Sequence, residues 1–142
     1  MRVLLILLAL CGAASAQGAA SPVGLWRTID DKTGKESGAV RIFDSGGALY
    51  GRIERITDPA RAGLSCIKCS DDRKDKPLIG LDIMRGLKRD GEVWDGGTIL
   101  DPETGSSYKS SVRLDDGGQK LVVRGYLGVS LLGRSQTWIR AQ

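Results

Sequence analysis

The chain has 142 residues, enough for one domain, and its 41% hydrophobic and 27% charged content is that of a folded soluble chain rather than a disordered one. Its 20 glycines follow no three-residue period, which excludes collagen, and the absence of histidine excludes Ser-His-Asp and Cys-His catalysis, His-ligated metals and His-based pH switching. The net charge of +4 is weak, and its basic residues alternate with acids instead of forming the face that a nucleic-acid binder presents.

Residues 1–16, MRVLLILLALCGAASA, read as a secretory leader. Arg2 supplies the positive start, Val3 to Leu10 the apolar run, and Ala14-Ser15-Ala16 the small-x-small cleavage pattern. The run is shorter than the roughly 20 apolar residues of a stable membrane span. Cys11 opens a lipoprotein alternative, but Leu10 stands where that processing prefers a small residue. A buried helix of the mature fold is the other alternative. Cleavage after Ala16 leaves 126 residues at +3, exported to a bacterial periplasm or secreted. Within them, 17–22 is expected to be a flexible lead-in and 23–141 the folded domain.

Turn signals then recur about every ten residues. They are Asp31-Lys32-Thr33-Gly34, Asp44-Ser45-Gly46-Gly47, Arg89-Asp90-Gly91, Asp101-Pro102-Glu103-Thr104-Gly105 and Asp115-Asp116-Gly117-Gly118. Asp starts such turns through its side-chain acceptor, and Gly supplies positive φ. Tight turns at this spacing join antiparallel neighbours. Eight strands are predicted between them, at 24–30, 36–43, 48–57, 83–89, 92–100, 106–114, 119–127 and 134–140. In the seventh, Leu121, Val123 and Leu127 share one face, and Val122, Arg124 and Tyr126 the other. Short helical turns are placed within 78–87 and 128–133.

Eight strands in so short a chain must protect their edges, and closure into a barrel does this completely. The expected fold is all-β, a single eight-stranded antiparallel up-and-down barrel; a two-sheet sandwich is the alternative. Gly51, Gly86 and Gly125 lie inside strands, where closure needs bends. Such a barrel is either filled by side chains or holds one small ligand. Leu49, Ile53, Val112, Leu121 and Val123 are the candidate ligand-binding residues, with the assignment of inside and outside left open.

The longest turn-rich stretch, 58–77, carries Cys66-Ile67-Lys68-Cys69. Export favours a local structural disulfide between the two cysteines that survive cleavage. A redox-active pair is a second reading, with Lys68 lowering a thiol pKa, although the helix-opening context of such sites is missing. A zinc site is the third; it would have to recruit carboxylates such as Asp71, Asp72 or Asp75, and no metal or other cofactor is predicted. The basic residues Arg61, Lys68, Arg73, Lys74 and Lys76 of this stretch are nearly cancelled by its acids and read as a solvated loop.

Gly24-Leu25-Trp26 opens the first strand and Thr137-Trp138-Ile139-Arg140 closes the last. This resembles the calycin barrels, such as lipocalins, in which a Gly-x-Trp pairs with an Arg from the barrel end. A large ring plugs the base and a guanidinium packs across its face. Arg140 is the candidate partner and Arg134 the second choice. Further strings extend the likeness: Trp26 to Asp31, Thr33-Gly34-Lys35, Tyr50-Gly51-Arg52-Ile53, Cys66 with Cys69, Ile79-Gly80-Leu81, and Trp94 to Gly97. To these are added Ile99 to Pro102 with Gly105 and Tyr108, Arg124 to Gly128, and Gly133 to Trp138. Together they resemble the exported bacterial domain of unknown function 2147 family over nearly all of 21–140. The resemblance implies a lipocalin-type periplasmic barrel and brings no catalytic residues.

Three functions follow as expectations. The first is a binding module for a small, largely apolar molecule or a cell-envelope component. The second is an envelope structural or interaction module using exposed Trp94 or Tyr126, or an open sheet edge. The third is a thiol oxidoreductase. An enzyme is not expected, since no catalytic constellation is visible. Neither nucleic acid nor integral membrane insertion is predicted, and the sequence does not fix an oligomeric state.

Overall fold

The computed structural model describes residues 20–127 and 133–141. The leader and its cleavage point, and the helical turn expected at 128–133, fall outside the described residues except for Gly133.

Eight strands follow one another around a closed antiparallel barrel. They are β1 (Gly24–Ile29), β2 (Glu36–Ser45), β3 (Ala48–Ile56), β4 (Asp82–Asp90), β5 (Val93–Asp101), β6 (Ser106–Asp115), β7 (Lys120–Tyr126) and β8 (Arg134–Arg140). Each expected strand is present within a residue or two, because the Asp-Gly turns bound them. β8 returns to β1 at Trp26↔Arg140 and Arg27↔Ile139, which closes the cylinder. Side chains alternate as the pleat demands: Leu121 and Val123 are buried, while Val122 is only partly covered.

Two glycines show why the wall closes. At Gly51 a Cβ would come within 2.9 Å of the Met84 Cβ, at a register shift between β3 and β4. Gly86 sits at φ +77, a conformation that side-chain-bearing residues rarely adopt.

The helical turn expected within 78–87 is corrected. Residues from Asp82 are β4, and the helix lies upstream as α1 (Pro59–Ala62). Asp58 caps it, accepting from Ala60 N at 3.0 Å, with Pro59 at the first position. An Asp-Pro pair is a start signal, since proline's preset φ suits the first turn and its missing N–H costs nothing there. The residues just before β1 pack on the barrel. Pro22 is fully buried and accepts from Trp26 Nε1 at 2.7 Å.

The apolar core runs along the barrel axis, from Trp26 and Leu121 at one end to Ile53 and Leu100 toward the other. It also includes Cys66, Cys69, Leu78 and Leu81 of the β3–β4 connection. That connection is therefore a folded flap on the barrel rather than a solvated loop.

Candidate functional site

The barrel has one plugged end and one hollow end. The plugged end gathers the start of β1, the β2–β3, β4–β5 and β6–β7 turns, and the end of β8. Trp26 is fully buried there, and the Arg140 guanidinium carbon lies 4.3 Å from its ring centroid. Arg140 donates to three carbonyls: Gly118 at 2.7 Å, Ser21 at 2.7 Å and Val23 at 3.1 Å. A planar fork suits this geometry, satisfying three oxygens while stacking on an indole. Partial burial pushes its pKa below the ordinary guanidinium value.

Arg134, the second choice for that role, sits at the opposite end. It binds Asp31, with Nη2 at 2.5 Å and Nε at 3.1 Å from the same carboxylate oxygen. This partner raises its pKa further.

The hollow end holds a cavity of about 600 Å³. Apolar walls come from Ile29, Val40, Ile53, Ile56, Leu78, Ile83, Ile99 and Val123, with Tyr108, Tyr126 and Trp138. Its charged lining is balanced, with Asp30, Asp31, Asp101 and Glu103 against Lys32, Arg55, Arg61 and Arg134. Ion pairs join several of these: Arg134 with Asp31 at 2.5 Å, and Arg61 with Glu103 at 2.7 Å. Arg55 bonds Glu36, just outside the lining. Polar side chains also reach the walls. Thr28 and Ser37 hydroxyls share a bond at 2.8 Å, and Gln136 accepts from Trp138 Nε1 at 3.3 Å.

The five sequence candidates divide. Ile53 and Val123 line the cavity. Leu49, Val112 and Leu121 are buried in the core and do not line it. All five are apolar and buried, so the split is one of height along the axis, which a two-residue period does not encode. Trp94 is buried rather than exposed, and Tyr126 joins the cavity wall, so neither is the free surface aromatic expected of a docking module.

Cys66 and Cys69 form a disulfide at the edge of this end. Both are buried, at 0% and 3% exposure. Lys68 O lies where a Cβ on Gly105 would stand, so the Cys loop rests directly on the β5–β6 turn. Of the carboxylates considered as zinc ligands, Asp71 and Asp72 have guanidinium partners, and Asp75 lies 3.7 Å from the Lys74 ammonium. Asp72 bonds Arg85 at 2.8 and 2.9 Å, and Asp71 bonds Arg73 at 2.6 Å.

Arg73 corrects the reading of this stretch as solvated. It is only 3% exposed and also donates to Asp82 O at 2.8 Å, tying flap to β4. Its hydrogen bonds hold the Asp71 carboxyl down at about 2. The one available signal was the Asp-x-Arg spacing, indistinguishable in sequence from a surface pair. Ser110 was missed as well. Its Oγ is fully buried and has no hydrogen-bond partner among the described residues, an uncommon state for a native hydroxyl.

Comparison with known proteins places this geometry. A family model described as "Uncharacterized protein conserved in bacteria (DUF2147)" matches residues 24–140. A solved structure titled "Protein HP1028 from the human pathogen Helicobacter pylori belongs to the lipocalin family" is similar in fold, with a TM-score of 0.74 and 19% sequence identity. The likeness covers 87% of this chain and 84% of that one. No curated protein matches the sequence.

Proposed function

The chain belongs to the DUF2147 family of bacterial proteins, and we propose that it is an exported binding protein that holds one small, largely apolar molecule or cell-envelope component in the open end of its barrel. The carrying observation is the cavity. About 600 Å³, with apolar walls beside a charged and polar lining, is the size of a small-molecule site. Most of the charges come from the turns and the flap at the rim, and most of the apolar side chains from the strands. That arrangement suits a ligand with a hydrocarbon body inside and a polar end outside.

Export is supported by the leader pattern of residues 1–16 and by a disulfide, which persists in oxidising compartments. A binding role rather than catalysis is supported by the burial of both cysteines within the core cluster. Thiol chemistry needs an accessible thiolate. One observation favours the second reading, an envelope interaction module. Leu64, Ile67 and Ile79 are large, exposed and all on the flap.

The test is a titration of the exported mature chain with N-phenylnaphthylamine, a neutral fluorophore that brightens on leaving water, alongside a native mass spectrum. Val123→Trp and Ile53→Trp fill the cavity and are expected to weaken binding about tenfold, some 1.4 kcal/mol. Leu121→Met, at the plugged end, is expected to bind as the native chain does. Folded Trp variants that bind normally would remove the cavity from consideration and favour the flap.

A further inference from the structure

The barrel wall is uneven around its circumference. β1 pairs with β2 as far as Ile29↔Glu36, and β8 pairs with β7 from Gly125↔Arg134. Between β1 and β8, however, the ladder among the described residues comprises Trp26↔Arg140 and Arg27↔Ile139, with Ala141 N donating to Leu25 O at the plugged end, and it does not continue toward the open end. Both strands continue toward the open end, each paired on its far side and not with the other. A register shift at Thr28/Ile29 accompanies the parting. The cavity reaches this seam from both sides, lined by Thr28, Ile29 and Asp31 on one and by Arg134, Gln136 and Trp138 on the other.

At the outer end of the seam, Arg134 reaches across to Asp31 at 2.5 Å. Their side chains are 69% and 33% exposed. The pair is thus a solvent-screened contact whose loss costs little, unlike a run of ladder hydrogen bonds. The axial rim carries contacts of its own. Arg61 of the flap bonds Glu103 of the β5–β6 turn, and the Lys68 backbone abuts Gly105.

We propose that apolar ligands enter and leave laterally through the β1–β8 seam, and that the Asp31–Arg134 pair is its latch. The inference rests on the cavity being the binding site. The physical reason is that a molecule can pass a sheet without breaking backbone bonds only where the ladder is absent. An apolar ligand whose polar end stays at the rim meets the latch as it passes, and the latch sets the rate more than the affinity.

Stopped-flow uptake of N-phenylnaphthylamine by the exported mature chain tests this. Arg134→Ala and Asp31→Asn are expected to speed uptake about two- to fivefold, the factor that an exposed ion pair represents. The double variant Asp31→Cys with Arg134→Cys, joined by a short bismaleimide, is expected to slow both uptake and release about tenfold, because a closed path hinders passage in each direction. A link that merely damaged the site would leave release unchanged or faster, and that result overturns the latch. Native uptake rates in the linked protein overturn it also. Should the linked chain fail to fold, ionic strength gives a second reading. Added salt is expected to speed uptake in the native chain and not in Arg134→Ala, since screening weakens the pair; equal responses overturn the proposal. If the native chain takes up no probe at all, the cavity reading itself fails, and the seam with it.

Discussion

Where β1 begins, Trp26 is fully buried between the Pro22 carbonyl and the Arg140 guanidinium; where β1 ends, Ile29 faces a cavity of about 600 Å³. The same strands supply both ends, and in both most of their inward residues are apolar, with Thr28, Ser110 and Gln136 among the polar exceptions. The plugged end fills its cross-section with an indole and with Leu121, Val112 and Leu87, all essentially inaccessible. The hollow end holds Tyr108, Gln136 and Gly125 on its cavity wall and leaves space between them. The contrast teaches that one barrel can separate stability from binding along its axis. Dense packing at one end carries the fold, which lets the other forgo contacts.

The largest way to break the contrast is Trp26→Ala. Removing a fully buried indole is expected to cost about 3–5 kcal/mol, read by urea or guanidinium unfolding. It also strips Arg140 of the ring it covers. Fluorophore binding by whatever fraction stays folded is expected to persist, because no cavity-lining atom is lost. If stability falls by less than about 1 kcal/mol, the plug is not the keystone of the fold.

A matched pair of truncations sharpens the contrast. Leu121 and Val123 lie two residues apart on one strand and one face. Leu121→Ala opens a new void in a filled layer and is expected to cost about 2–5 kcal/mol. Val123→Ala only enlarges space that already exists and is expected to cost about 1 kcal/mol or less. Their order under chemical denaturation is the decisive reading. Equal costs would mean that the hollow end is as tightly packed as the plug.

The smallest expected effect concerns the flap beside the cavity. The Asp71 carboxyl is held at about 2, first by its hydrogen bonds from Arg73. A depressed carboxyl favours the folded state above its unfolded value, near 3.9, and this contribution fades as pH falls through about 2. Stability is therefore expected to slope downward between about pH 4 and pH 2. Because Asp71 is itself 43% exposed, solvent screening keeps the slope shallow. Arg73→Met is expected to flatten that part of the profile, measured as thermal midpoint against pH. An unchanged slope would place the acid sensitivity elsewhere.

Much of the fold was legible because turns and alternation are local. Asp44 to Gly47 and Asp115 to Gly118 mark hairpins by side-chain capping and positive φ, and the strands between them fall in place. The Trp26 and Arg140 contact was legible through resemblance, since nothing local links residues 114 positions apart. Illegible were the features that depend on what lies across a gap. Arg73 looks like one more surface cation in a mixed run, and only the flap's fold over β4 buries it. Arg134 was weighed against Arg140 for the same ring. They lie six residues apart on one strand, which places them at opposite ends of the barrel, and only the strand's direction decided which met Trp26.

By itself the sequence determined the strand count, the antiparallel order and which side chains share a face, because these follow from turn chemistry and a period of two. The tertiary structure alone decided how far along the axis packing stops and a cavity begins, and where the β1–β8 ladder ends. Both depend on closure, which brings side chains from eight separate strands into one cross-section, and no stretch of sequence holds the volume of that layer.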